Sequence, residues 1–232
     1  MALYTIADLH LSESTDKPMD VFGKQWENHK ERLEAAWRET VREEDTVVIP
    51  GDISWGMRFE NTEKDLLFIH SLPGHKIIGK GNHDYWWGTL TKLYGFRDRI
   101  GATSIDFLFN NAYKTEGKVI CGTRGWFPDG SYGPEDEKIV LREAGRLARS
   151  IEAGRALLEE GDELLVFLHY PPAFGGVKCA PLAEILWAED VKRCYYGHLH
   201  GISNQLTEKS LGKTDLHLIA ADALGFKPLL IE

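Results

Sequence analysis

Five times along this chain, a residue able to bind a metal stands where a short apolar run has just ended. Thr46 to Ile49 leads through Pro50-Gly51 to Asp52. The other four places are Asp8-Leu9-His10, Gly81-Asn82-His83-Asp84, His169 and Gly197-His198-Leu199-His200. A short, continuously apolar run bounded by turn residues reads as a buried strand. The carboxyl edge of such strands is where open α/β folds place their sites. The chain is therefore expected to gather these ligands at one sheet edge, with Asp52 at the centre and the other motifs closing around it.

The remaining pattern supports this. Strand candidates are Leu3 to Ala7, Thr46 to Ile49, Lys76 to Gly79, Ile105 to Phe109, Lys118 to Cys121, Leu164 to Leu168, Arg193 to Tyr196, Leu216 to Ala220 and Pro228 to Ile231. Helical spacing covers Lys24 to Glu43 (Trp26, Leu33, Trp37 and Val41 on one face) and Asn61 to Ser71 (Leu66, Leu67, Ile69). It also covers Glu135 to Glu160, with Ile139, Leu147, Ile151 and Leu158 inward and an end at Gly161. The β-α-β-α-β opening favours parallel pairing with right-handed crossovers, while the shorter connections near the close allow antiparallel pairs. Two packed sheets covered by helices accommodate these strands. No repeat or linker divides the chain, so residues 1–232 are expected to form a single domain.

Composition narrows the class. A chain of 232 residues with 43% hydrophobic content can bury one sizeable core, and no apolar run reaches the roughly 18 to 20 residues of a membrane span. Met1 to Ala7 runs straight into a strand without the basic start of a secretory signal. Three cysteines, Cys121, Cys179 and Cys194, contain no Cys-x-x-Cys pair and read as reduced thiols. A cytoplasmic location is the expectation. The net charge of −9 disfavours extended nucleic-acid binding, which depends on clustered cations. It does not exclude a small anionic substrate, because two divalent ions would reverse the local field. Oligomeric state is not legible.

Asp8 and His10 are one residue apart, so in an extended segment both point the same way, as do His198 and His200. Asn82 adds a neutral oxygen, and His169 leaves the apolar run Leu164 to Leu168. Each motif alone has a plainer reading: a chance Asp-x-His, a Gly-Asp turn, or an Asx turn capping a helix. Together, and each after a strand run, they read as a metal site. Its lack of thiolate disfavours structural zinc and favours manganese, with iron or catalytic zinc also suited.

These blocks, spanning residues 8 to 200, resemble the five signature blocks of the calcineurin-like metallophosphoesterases. The resemblance implies a four-layer α/β fold, two mixed sheets sandwiched between helices, in a small single-domain member. It implies that Asp8, His10, Asp52 and His200 hold one divalent metal and Asp52, Asn82, His169 and His198 a second. It implies further that His83 is general acid or transition-state stabiliser with Asp84 orienting it. The implied activity is hydrolysis of a phosphodiester or phosphomonoester of a small soluble or nucleotide-type substrate by hydroxide shared between two metals. Such metals sit about 3.5 to 4 Å apart.

The protein phosphatases of that family carry Asp-Arg-Gly after their Gly-Asp block, where this chain has Ile53-Ser54-Trp55-Gly56-Met57-Arg58. Its lipid-sugar pyrophosphatases carry Arg in place of His83, and its repair nucleases carry further domains. The competing class is a non-catalytic metal-binding scaffold or interaction module on the same fold.

Other residues keep two readings each. Trp55, Tyr85, Trp86, Trp87, Trp126 and Phe127 either line a pocket for a flat group or plug gaps between sheet and helices. Arg124 either reaches a phosphate or forms a salt bridge. Arg58, Lys80 and Lys178 are weaker candidates for contacting substrate. Outside the blocks, His29, His70 and His75 are expected to face solvent and His217 to decorate a strand.

Overall fold

A computed structural model of the chain describes residues 1–127, 133–202 and 204–232. In chain order the regular elements are β1 (Leu3–Thr5), α1 (His29–Thr40), β2 (Thr46–Pro50), α2 (Phe59–Ser71), β3 (His75–Gly79), α3 (Leu90–Ile100), β4 (Ile105–Phe107), β5 (Tyr113–Thr115) and β6 (Lys118–Thr123). There follow α4 (Pro134–Arg155), β7 (Glu163–Leu168), β8 (Ala173–Phe174), β9 (Val177–Lys178), α5 (Ala180–Ala188), β10 (Arg193–Tyr196), β11 (Ser210–Leu211), β12 (Thr214–Leu218) and β13 (Leu229–Ile231). One sheet has the order β13-β1-β2-β3-β4, the other β11-β12-β10-β7-β6-β5, and β8-β9 form a separate ribbon. Strands β1 to β4 pair in parallel, as do β6, β7, β10 and β12, whereas β13, β5 and β11 add antiparallel edges.

Strand side chains alternate between faces, and here the alternation sorts the core into layers. In β2, Val48 joins Ile77 of β3 in the layer between the sheets, facing Leu165 and Phe167 of β7 and Tyr195 of β10. Val47, Ile49 and Ile78 point the other way, onto Leu33, Trp37, Leu66, Ile69 and Leu93 of α1, α2 and α3. Val166 and Leu168 of β7, with Cys194 and Tyr196 of β10, meet Leu147 and Ile151 of α4 and Leu182 and Leu186 of α5. The result is helix, sheet, sheet, helix. No helix among the described residues is long and apolar enough to cross a membrane.

All nine expected strands are present, with β5, β8, β9 and β11 in addition. The helices depart more. Lys24 to Glu43 is not one helix: Lys24–Trp26 is a 3-10 turn, Asn28 takes φ +49°, and α1 starts at His29. Asn tolerates this left-handed conformation better than most residues. The four stripe residues are nevertheless all buried. In α2, Leu67 is 36% exposed and points outward. In α4, Val140 rather than Ile139 takes the inward position, and the helix closes at Arg155 with Leu157 N bonding Gly154 O at 2.9 Å. The expected helices omit α3 and α5; α3 does carry a helical stripe, Leu93, Phe96 and Ile100, whereas in α5 only Pro181 and Glu184 interrupt the Ala, Leu, Ile and Trp residues.

The two sheets meet where β1 ends. Ala7 N donates to Ile219 O at 2.8 Å, and Ala221 N donates to Ala7 O at 2.9 Å. This bridge brings the carboxyl edges of both parallel sets together.

Candidate metal centre

Asp8 and His10 leave β1, Asp52 leaves β2, and Asn82 and His83 leave β3; His169 leaves β7, and His198 and His200 leave β10. Four of these bend the backbone into the left-handed region, with φ of 61° at Asp8, 47° at His10, 51° at Asp52 and 70° at His198. Such conformations cost of order 1 kcal/mol or more each and persist where surroundings hold them. Here Asp8 N donates to Gly51 O (3.1 Å), His10 N to Asp52 O (3.0 Å) and His198 N to Asp8 Oδ2 (2.9 Å).

Asp84 is the knot beneath them. Its carboxylate accepts from Gly81 N (2.7 Å), Asp52 N (2.9 Å), Ile53 N (3.0 Å), Ser54 N (3.3 Å) and Trp86 Nε1 (3.1 Å). It forms no hydrogen bond with His83 among the described residues. Its bonds go instead to the backbone of the Asp52 to Ser54 loop and of Gly81, and to the Trp86 indole. Two motif glycines are required by close approach. A Cβ on Gly81 would lie 2.0 Å from Asp52 Oδ1, and one on Gly197 would lie 2.3 Å from Asp8 Oδ2.

The donors converge in two halves. Asp8, His10 and His200 each offer an atom within 4.8 Å of the others, and so do Asp8, Asp52 and His169. His10 Nε2 lies 3.1 Å from His200 Nε2. Asn82 Oδ1 lies 2.6 Å from His169 Nε2 and 3.0 Å from His198 Nδ1. Asp52 Oδ2 stands between the halves, 3.7 Å from His10 Nε2 and 3.5 Å from His169 Nε2. All seven sequence-predicted ligands are thus brought to one place.

The electrostatics fit a cation site. Burial and mutual repulsion raise Asp52, burial raises Asp84, and burial pushes Asp8 up to about 7. Burial holds His10 and His169 well below the usual histidine range, so both rings are neutral at pH 7, the form in which an imidazole can bind a metal. Asp84 has five hydrogen-bond donors to hold its charge. Asp8 and Asp52, buried beside the neutral rings of His10 and His169, are instead stabilised in charged form by compensating positive charge. His169 Nδ1 is buried with no hydrogen-bond partner. Two carboxylates, one amide oxygen and four imidazoles suit divalent manganese, iron or zinc.

His83 sits at the rim, half-buried, its ring 4.3 Å from Trp55 and 5.7 Å from His10. Burial, then His200 and Lys17, lower its pKa. Sequence reasoning missed Asp222, which accepts from His200 Nδ1 at 3.0 Å and from Gly201 N at 2.7 Å. The signal was available, since Asp222 also follows a strand run. It missed Trp26 as well, assigned to a helix stripe but placed edge-on to His10 and His200 at 5.7 and 5.4 Å.

The aromatics divide. Trp55 stacks on His10 at 5.1 Å, whereas Trp86 and Trp87 pack into the helix-side core and Trp126 against Tyr170. Arg124 is 3.5 Å from the fully buried Glu143 and lies over Trp126, which is the salt-bridge alternative. Lys80 shares a small recess with Arg124 and Arg146, Lys178 lies over Trp187, and Arg58 precedes α2 as its N-cap. His29 and His70 are half-buried rather than solvent-facing, while the His75 side chain is 40% exposed. His29 packs on Trp26, His70 bonds Ser104 and His75 pairs with Asp106, so each ring has found a local partner. His217 lies on β12 as expected, stacked on Tyr195.

A family model described as calcineurin-like phosphoesterase matches residues 1–201. Among curated proteins no sequence relative matches. Solved structures share the fold. A protein of unknown function from Aquifex aeolicus aligns with TM-score 0.53 at 15% identity, over 99% of this chain and 95% of its own. A Thermus thermophilus protein gives 0.58 at 10% identity, over 99% and 97%. The phosphopantetheinyl hydrolase of Mycobacterium tuberculosis gives 0.51 at 15% identity, over 94% and 88%. At these identities the likeness concerns the fold alone.

Proposed function

The chain belongs to the calcineurin-like phosphoesterases, hydrolases acting on phosphoric ester bonds, and from that premise we propose that it hydrolyses a small phosphodiester or phosphomonoester with two divalent metals. Asp8, His10, Asp52 and His200 would hold one ion and Asp52, Asn82, His169 and His198 the other, with Asp52 shared. When bound, the ions supply Lewis acidity toward the phosphoryl oxygens and lower the pKa of a hydrolytic water. The observation that carries the reading is the placement of Asp52 Oδ2 within 3.7 Å of a histidine from each half.

The chain's own groups do the rest. Asp222 fixes the His200 ring so that Nε2 faces the centre. Asp84 ties the Asp52 and Gly81 loops together, which sets the spacing of the two halves. His83, neutral at pH 7, donates a hydrogen bond to oxygen as charge develops there. Trp55 packs on both His83 and His10 and holds their rings at the mouth.

The test uses stripped protein reloaded with Mn²⁺ and offered bis(p-nitrophenyl) phosphate and p-nitrophenyl phosphate. Metal-dependent turnover that disappears in Asp52→Asn is expected. His83→Ala should lose roughly 10²- to 10⁴-fold in kcat while two metals remain bound by elemental analysis. Unchanged turnover in that variant would remove His83 from the catalytic groups. Two bound metals without any turnover in the wild type would favour a non-catalytic scaffold, and failure to bind any metal would end the proposal.

A further inference from the structure

Beside the centre opens a cavity of about 260 Å³ whose floor is His10, His83 and His200. Its walls are Met19, Phe22, Trp26 and Trp55. Met19 and Trp26 are buried, while Phe22 stands 61% exposed at the rim beside the equally exposed Val21. Trp55 spends its indole N–H on Met19 Sδ at 3.1 Å, leaving the wall without a free donor there. Among the described residues, Gln25 is the one polar side chain of the lining apart from the imidazoles; a cation, the Lys17 ammonium, lies 4.4 Å from the centre of the Trp55 ring.

A charged or hydroxyl-rich group placed here would lose water and gain few partners, which is costly. An apolar ring has little hydration to lose and would cover the exposed Phe22 side chain and the open part of Trp55. The volume lies just under the roughly 300–1,000 Å³ of drug-sized sites, which suits one ring system and excludes a polymer segment. The imidazole floor puts the cavity directly against the candidate metal ligands His10 and His200, where the organic group of an ester would extend from a phosphoryl group held there. We propose that this cavity is the subsite for the ester's organic group, and that the substrate is a phosphoester of an uncharged, ring-bearing, apolar alcohol or phenol. This rests on the phosphoesterase reading above.

The experiment compares 2-phenylethyl phosphate with ethyl phosphate, and their methyl diesters, on the Mn²⁺-loaded full chain. The leaving alcohols are of similar acidity, so the ratio of kcat/KM reports the ring alone. A ratio of about ten to a hundred is expected. Phe22→Ser, which removes an exposed side chain, should bring that ratio down several-fold. Calorimetric titration with 2-phenylethylphosphonate and ethylphosphonate reads the same subsite without turnover. Equal hydrolysis and equal binding of the two members of each pair would overturn the subsite, as would a preference for the ethyl compounds. Selective binding of the ring phosphonate with no hydrolysis of any ester would keep the subsite and overturn the hydrolase reading instead.

Discussion

Asp222 accepts a hydrogen bond from His200 Nδ1 and thereby leaves Nε2 facing Asp8 and His10. Burial works to lower the pKa of His200, but the Asp222 hydrogen bond and the charge on Asp8 prevail and raise it. Supporting carboxylates of this kind typically contribute 10- to 100-fold in metal affinity. Asp222→Ala is expected to weaken Mn²⁺ binding by about that factor, measured by competition with a fluorescent chelator; unaltered affinity would place Asp222 outside the site's support. The same scale explains why the motif blocks carry glycine. Gly81 and Gly197 stand where a methyl group would displace the Asp52 or Asp8 carboxylate, a requirement of backbone contact that no hydrophobic pattern reveals.

On β3 the chain buries Lys76 completely, its ammonium donating to the Leu72 carbonyl at the end of α2 and lying 3.3 Å from Ser104 Oγ. Burial lowers its pKa to about 8, against about 10.4 for an unfolded lysine. Between those values the unfolded chain binds more protons, so this group makes stability rise with pH from about 8 to 10.4, by no more than about 3 kcal/mol. Cys121 and Cys194, raised by burial, push the other way over the upper part of that window. The informative quantity is therefore the difference between wild type and Lys76→Met in urea unfolding at pH 8 and pH 10. The variant is expected to lack the rising contribution, and parallel pH profiles would refute the assignment. Lys76 also illustrates a limit of reading elements from pattern. Its place on a strand is legible in Lys76-Ile77-Ile78-Gly79, yet nothing there says that its charge serves as the cap of the preceding helix.

Across the whole molecule, folding forces Asp8, Asp52 and Asp84 together out of water, so the metal-free protein carries their repulsion. Mn²⁺ at 100 times its dissociation constant should stabilise the fold by about 2.7 kcal/mol per site, raising Tm by roughly 5–10 °C for a chain of this size. Asp52→Asn should melt higher than wild type when both are metal-free, and should gain little on metal addition. A thermal shift series with and without chelator reads both, and a metal-free variant melting below wild type would contradict the repulsion argument. The periods of the sequence were enough to determine the nine main strands, the parallel opening and the presence of seven metal-ligand candidates at strand ends, because alternation and apolar runs are local. The break at Asn28, the outward turn of Leu67 and the short edge strands were not legible, since each depends on what packs from elsewhere. Trp26 reads as core by its spacing, and it is core, but only the fold decides that its edge also meets His10 and His200. Likewise the pairing of His200 with Asp222, the clamp of Asp84 on two loops and the apolar cavity before His83 join residues far apart in the chain. Local pattern specifies which face of an element is apolar; which distant faces meet, and what their ends enclose, is decided by close packing of the whole.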